Sequence, residues 1–321
     1  MIKHSKMMFL IAETPLHAGS GGDSVGIVDL PIQRERHTNF PKIEASGLKG
    51  CVREAFENSD ISINGKNIDV NDKKRIISLI FGPEKGDEHS SSIFFTDARI
   101  LLFPVKSLKG VFVWITCPMV LERFREELKL TDVNFDYNFN SLKNTVPKNT
   151  DILIDNSKNI VLEEYTFEVE ANDDTSKIAK FLAEKIFPRP QNQQANNDIY
   201  LFWREKLENN LVILSDDDFK QFVTTSTEVI TRIMIDGTTG VVKEGALWTE
   251  EYLPQDSILY SIVMASPLRV ENKNKGIFQG NNDNEEAKNV IDFFEKGLPE
   301  IIQIGGNQTL GKGLTRTQIL K

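Results

Sequence analysis

Near one end of the sequence, Gly306 to Lys312 reads G-x-x-x-x-G-K within the stretch GGNQTLGKGL. That spacing opens a nucleotide-binding P-loop, in which backbone amides cradle phosphates and the lysine reaches the outer ones. Three requirements of that chemistry are missing. Position 313 is glycine where Ser or Thr must hold magnesium, the following LTRTQIL alternates where a helix should open, and no acidic metal partner follows. Two readings stay open. The segment is a tight turn before a last strand, or Gly305, Gly306, Gly311 and Gly313 let backbone approach a polyanion while Lys312 and Arg316 neutralise its phosphates.

Other candidates are spread along the chain. His17 follows the first apolar segment and precedes Gly19, so it could act as a general acid or base. No orienting carboxylate is identifiable near it, which favours a structural or stacking histidine. Asp29 lies in GIVDLP beside Gly26 and ahead of Pro31, where an Asx turn is the plain alternative to a chemical role. Lys49 and Arg53, spaced i, i+4 on one helix, would project together toward a phosphate backbone or form ordinary surface charge. Arg34, Arg36 and His37 in RERHT could form a self-satisfied ion network or a set of phosphate and base contacts. Glu244 and Glu250, on a long hairpin, could enter a site from an arm, although a solvated strand face suits them better.

The elements that must position these residues mix strands and helices without a steady βαβ rhythm. MMFLIAETPLHAG reads as a first or edge strand, and a Gly-, Pro- and Asp-rich loop follows it. SGLKGCVREAF reads as a helix capped by Ser46, with Leu48, Val52 and Phe56 on one face. Helices are also predicted at KKRIISLIFG, VLERFREELKL, DTSKIAKFLAEKIF and EEAKNVIDFFEKGLPEII. SSIFFTDARILLFPV and GVFVWITCPMV read as paired strands, NIVLEEYTFEVE as one strand, and SILYSIVMA and GLTRTQIL as strands. EVITRIMIDGTTGVVKEGALW is a hairpin around DGTTG. The fold class is α+β, with an antiparallel sheet and helices on one face.

Composition sets the outer bounds. The 321 residues carry a net charge of −9, with 40% hydrophobic and 26% charged residues, as in a globular protein. No apolar run reaches the ~20 residues of a membrane span. Cys51 and Cys117 are the only cysteines, too few for a disulfide framework or a Cys-rich zinc site, and a reducing cytoplasmic setting is expected. Excess acid argues against indiscriminate nucleic-acid binding. Basic residues nevertheless concentrate between Leu30 and Arg53 and after Ile304, two segments that folding could join into one groove.

TPLHAGSG, the run GIVDLPIQRERHTNFPKIEASGLKGCVRE and the C-terminal glycine loop together resemble the RAMP superfamily of CRISPR effector proteins. Within it, VDLPIQRERHT is similar to the backbone subunit numbered four of the type III-B Cmr complex, as are IFG, DARILLFPVKSLKGVF and VKEGALWTEEYLP. The resemblance implies a ferredoxin-like, RRM-type palm spanning about 1–214 and 257–321, including the loop 19–45, with a thumb-like hairpin insertion at about 215–256. It implies a filament of such subunits, joined by other Cmr subunits, along a guide crRNA. Each subunit would cut paired, single-stranded target RNA at regular intervals. Asp29 is the position matching the family's catalytic residue, and Lys49 and Arg53 match its basic pair.

RNA cleavage by its own 2′-hydroxyl needs in-line geometry, charge stabilisation at the phosphoryl oxygens and a route for a proton. One carboxylate holding a hydrated Mg2+ or Mn2+ suits that chemistry, because such ions keep several waters. Two alternatives stand beside this endoribonuclease: a non-catalytic structural filament subunit, and a RAMP-type guide-maturation endoribonuclease that uses His17. No aromatic-rich stripe for base stacking is present, which fits a protein that holds backbone while base pairing reads sequence.

Overall fold

The computed structural model describes residues 2–320 apart from 22–27, 61, 64–65, 68, 85–88, 132, 140, 155–156 and 191–197. In chain order the elements are β1 (His4–Ala12), β2 (Lys42–Ile43), α1 (Ala45–Asn58), β3 (Ser62–Ile63), β4 (Lys66–Asn67) and α2 (Val70–Phe81). Next come β5 (Ile93–Phe95), β6 (Ala98–Lys106), β7 (Phe112–Thr116), α3 (Pro118–Leu128), β8 (Thr145–Pro147), β9 (Asn159–Leu162), β10 (Tyr165–Glu168) and β11 (Glu170–Asn172). The remainder is α4 (Asp173–Ile186), α5 (Leu201–Asn209), β12 (Leu211–Ile213), α6 (Asp216–Thr225), β13 (Glu228–Ile235), β14 (Val242–Tyr252), β15 (Ile258–Ala265), α7 (Asp283–Gly297), β16 (Ile301–Gln303) and β17 (Leu314–Ile319).

An 11-stranded sheet in the order β11-β8-β12-β7-β6-β15-β1-β17-β16 organises the molecule, with β2 and β5 pairing beside β6 and β15. β1 is therefore an interior strand rather than an edge. It pairs antiparallel with β15, Phe9 opposite Tyr260, and with β17, Leu10 opposite Thr317. The unbroken apolar run explains this: Met7 to Ala12 are buried on both faces, so the strand shows no alternation. The sheet is also mixed, since β7–β12 and β8–β11 run parallel.

Helices cover both faces, not one. Phe124 of α3 packs on Phe9 and Tyr260, which share a face. Phe294 of α7 packs on Phe95 and on Phe56 of α1, and Phe95 pairs with Val263, three residues from Tyr260 and so on the other face. α1 buries Leu48, Val52 and Phe56 as its spacing predicts, but Glu44 is its N-cap residue and Ser46 lies inside the helix. Asp97, from the β5–β6 turn, accepts the Ala45 amide instead at 2.9 Å.

Other boundaries moved for local reasons. NIVLEEYTFEVE folds back as the β9–β10 hairpin, with Glu163 at a φ of 49°, and then continues into β11. Pro118 starts α3 at its first turn, where its missing amide costs nothing, so β7 ends at Thr116. α7 ends at Gly297, and the Glu-Ile-Ile that follows enters β16. α5 has a weak apolar period, β12 is only three residues long, and α6 buries Phe219, Phe222 and Val223 at i, i+3, i+4. Phe219, Phe222 and Val223 of α6 join the common core, whereas β13 and β14 form a separate two-stranded sheet. Among the described residues no helix is long and apolar enough to cross a membrane.

Candidate active site and nucleic-acid interface

The chain between β1 and β2 is laid along the root of β14. Leu16 bridges Leu253 and Leu30 bridges Glu250, while Gly19–Ile32 and Arg34–Pro41 bridges brace the loop itself. The Leu30 amide donates to Thr249 O, and Leu30 O accepts from the Glu251 amide, both at 3.0 Å. Gln33 ties the loop across its width, donating to Gly19 O at 3.0 Å and accepting the Glu44 amide at 2.7 Å.

This seating places Asp29 beside Thr249. Asp29 Oδ2 accepts the Thr249 amide at 2.7 Å and the Thr249 hydroxyl at 2.9 Å. The Asp29 amide in turn donates to that hydroxyl oxygen at 3.0 Å. The amide bond first, then the hydroxyl, hold the carboxyl below the usual carboxylate range by favouring its charged form. Asp29 is solvent-exposed, and its Oδ1 takes no bond from another described residue. Among the described residues the result is a fixed anion with one oxygen that no other residue bonds. Such a group is a weak proton acceptor at neutral pH but can orient a cation, a water or a developing charge. Gly26, which precedes it, lies outside the described residues.

One residue further along β14 is Glu250, only 6% exposed rather than on a solvated face. Its Oε1 accepts Trp248 Nε1 at 2.9 Å, and its Oε2 accepts Asn307 Nδ2 at 3.0 Å, Arg232 Nε at 3.2 Å and the Tyr252 hydroxyl. Burial pushes this carboxyl up, but the bonds from Trp248, Tyr252 and Arg232 outweigh it and leave it below its ordinary value. Glu244 is elsewhere. It is exposed on the outer arm, five residues from Thr249 or roughly 16 Å along a strand, so the fold does not bring it to Asp29.

Asn307 belongs to the glycine loop between β16 and β17, so both glycine-rich basic segments meet at the hairpin root. β17 follows the loop directly, and no P-loop helix forms. His17 lies beneath the loop and is 9% exposed. Its Nδ1 bonds the Glu251 backbone carbonyl at 2.7 Å, its ring sits 5.5 Å from that of Tyr252, and its own carbonyl accepts the Gly306 amide at 2.9 Å. The loop glycines divide by role. A Cβ on Gly305 would lie 2.2 Å from His17 O, and one on Gly313 would lie 2.1 Å from Ile304 O, both at positive φ. A Cβ on Gly311 would meet open space. Lys312 holds its ammonium 5.1 Å from the Tyr252 ring centre and makes no ion pair among the described residues.

The predicted cations also divide. Arg34 is a partly buried structural residue: Nη2 meets Glu251 Oε1 at 2.5 Å, and Nη1 donates to Asn39 O at 2.8 Å and Val223 O at 2.9 Å. Arg316 is held by Glu13, Glu300 and Tyr200 rather than left for phosphate. Arg53 bonds Glu57 at 2.8 Å and Gly82 O at 2.9 Å. Lys49 makes no ion pair among the described residues, and burial, then Arg53, hold its ammonium below the usual lysine range. Arg36 is exposed and unpaired among the described residues. His37, also exposed, lies 3.1 Å from Arg123, which pairs with buried Glu35 at 2.8 Å. Thr249, Asn307 and Arg123 carry no prior signal because their partners are far away in sequence, whereas Arg232 and Tyr252 meet Glu250 within the hairpin itself. Among the described residues no three His, Cys, Asp or Glu side chains cluster to hold a metal, and Asp29 Oδ1 is the free carboxylate oxygen at the site.

A large mixed sheet covered by helices, with the Asp29 loop and the glycine loop both meeting the root of one hairpin, defines the class. The chain belongs to the RAMP superfamily, whose sequence model matches residues 9–316. It is 36% identical over 309 residues to the CRISPR system Cmr endoribonuclease Cmr4 of Pyrococcus furiosus, covering 95% of this chain and 92% of that protein. The crystal structure of oligomeric Cmr4 from Pyrococcus furiosus superposes with a TM-score of 0.69 at 28% identity, covering 98% of this chain and 97% of that one. The fold recurs in a type III-B Cmr-beta assembly bound to cognate target RNA, with a TM-score of 0.68 at 23% identity over 99% of this chain and 98% of that one.

Proposed function

We propose that this chain is a guide-RNA-binding backbone subunit of a type III-B CRISPR ribonucleoprotein and an endoribonuclease that cuts complementary target RNA at regular intervals. The observation that carries the reading is the Asp29 carboxylate, anchored through one oxygen at the root of a projecting hairpin, with the other oxygen bonded by no other described residue. The endoribonuclease character and oligomerisation of the Pyrococcus furiosus relative support it over the whole chain length. In this reading the large sheet and its helices are the ferredoxin-like palm, β13–β14 is the thumb, and the assembly works in the cytoplasm with other Cmr subunits and further copies of this chain.

The chemistry assigned is attack of a 2′-hydroxyl on the adjacent phosphorus, giving a 2′,3′-cyclic phosphate. Asp29 fixes the scissile segment's surroundings and supplies negative charge in a set position, not a basic lone pair. A hydrated Mg2+ or Mn2+ would have Asp29 Oδ1 as its protein ligand, and would supply charge neutralisation at the phosphoryl oxygens. Lys49, Arg36, His37, Lys312, Gly306 and the open face of Gly311 hold the guide backbone. Arg34, Arg316, Gly305 and Gly313 serve the fold, and Arg53 presents only what its bonds to Glu57 and Gly82 leave free. Glu250 and His17 position the hairpin root and the glycine loop.

The deciding experiment is cleavage of complementary RNA by the reconstituted, guide-loaded assembly, wild type against Asp29→Ala. The variant should assemble and bind guide normally and lose target cleavage. Retained metal-dependent cutting would refute the assignment of Asp29.

A further inference from the structure

The polar atoms of Thr249 are all spent on the loop that carries Asp29. Its amide and hydroxyl donate to Asp29 Oδ2 at 2.7 and 2.9 Å, its hydroxyl oxygen accepts the Asp29 amide at 3.0 Å, and its carbonyl accepts the Leu30 amide at 3.0 Å. Among the described residues no residue other than Thr249 and Asp29 itself bonds the Asp29 carboxylate. Thr249 is itself held rigidly. It pairs with Thr231 across the hairpin, its neighbour Trp248 donates to Glu250, and Glu250 is bound to Arg232, Tyr252 and Asn307. A β-branched side chain in a strand also has few rotamers, so its hydroxyl has little freedom to wander.

We infer that Thr249 is the positioning residue of the cleavage site, fixing the Asp29 carboxylate through Oδ2 so that Oδ1 faces the substrate, and that it couples this carboxylate to the seating of the β13–β14 hairpin. The inference rests on the proposed role of Asp29. The two free rotations of an aspartate would otherwise spread Oδ1 over several orientations, and a small misplacement of a catalytic group lowers rate steeply. The amide contribution belongs to the backbone and survives substitution. The hydroxyl contribution belongs to threonine or serine alone. A valine at this position keeps the shape and the β-branch but can neither donate to Oδ2 nor accept the Asp29 amide.

The test uses the reconstituted, guide-loaded complex with Thr249→Val, Thr249→Ser and Asp29→Ala, read by target cleavage at saturating RNA, guide affinity, and the Mg2+ and pH profiles of the rate. Thr249→Val should bind guide and target as wild type yet cut about ten- to a hundredfold more slowly, the span of one charge-assisted hydrogen bond. Its acid limb should move to higher pH, and half-maximal rate should need more Mg2+. Thr249→Ser should restore cutting to within about threefold. If Asp29→Ala is inactive while Thr249→Val cuts with wild-type rate and profiles, the positioning role alone is overturned. Guide binding that falls in step with rate in Thr249→Val makes the hydroxyl merely structural and overturns it too. Cutting by Asp29→Ala would overturn the Asp29 reading together with this one.

Discussion

Arg34 offers a clean separation between holding RNA and holding the fold. In Arg34→Ala the lost groups are one ion pair at 2.5 Å to Glu251 and two guanidinium bonds, at 2.8 Å to Asn39 O and 2.9 Å to Val223 O. The side chains of Arg34 and Glu251 are only 14% and 7% exposed. After the substitution Glu251 keeps two neutral donors, the Ile32 amide at 3.0 Å and the Thr227 hydroxyl at 2.8 Å, but no cation. Removing one partner of a buried pair costs about 3–5 kcal/mol, because the other charge stays buried without compensation. Arg36→Ala, at an exposed turn two residues later, should stay within about 0.5 kcal/mol. Urea unfolding of the free chain gives both values. Adding Glu251→Gln to Arg34→Ala should recover at least about 1 kcal/mol, since the stranded charge is then gone, and the double-mutant cycle isolates the pair. If Arg34→Ala unfolds like wild type and only its RNA affinity falls, the structural assignment is wrong.

The Asp256 carboxyl is pushed up to about 6, by burial first and by Glu13 next. Its folded pKa lies above its unfolded one, so its contribution lowers stability as pH rises from about 4 to about 6, and the cost is full above that. Because the group is only half-buried, Asp256→Asn should gain about 1 kcal/mol at pH 7.5, after discounting for solvent screening, and progressively less toward pH 5. Denaturant melts at the two values check the sign. Gly305→Ala should lose more stability than Gly311→Ala, since both sit at positive φ but only the former drives a Cβ to 2.2 Å from a backbone oxygen. Equal losses, beyond the left-handed penalty of about 1–2 kcal/mol, would remove the packing argument. Lys49→Ala should weaken guide binding and reduce its salt slope by about 0.7, one single-strand phosphate contact, with unfolding unchanged. An unaltered slope would take Lys49 out of the interface.

Much of this molecule follows from local pattern alone. Leu48, Val52 and Phe56 recur at helical spacing and form the buried face of α1, and Asp236 with its glycines closes the β13–β14 hairpin, accepting the Thr238 and Thr239 amides at 2.9 and 3.0 Å. Those signals act over one or two turns of chain, where spacing and geometry are the same thing. The resemblance of GIVDLP and its neighbours to RAMP proteins singled out Asp29 without saying what would hold it. Sequence order could not place β1 inside the sheet, because its neighbours β15 and β17 come from the other end of the chain. Nor could it separate Arg34 from Arg36, identical residues two positions apart. One meets Glu251, 217 residues away, and the other is turned outward at the following turn. The same limit applies to Asp29 and Thr249, 220 residues apart. A side chain's type sets which bonds it can make, and only the tertiary fold decides which of those partners arrives.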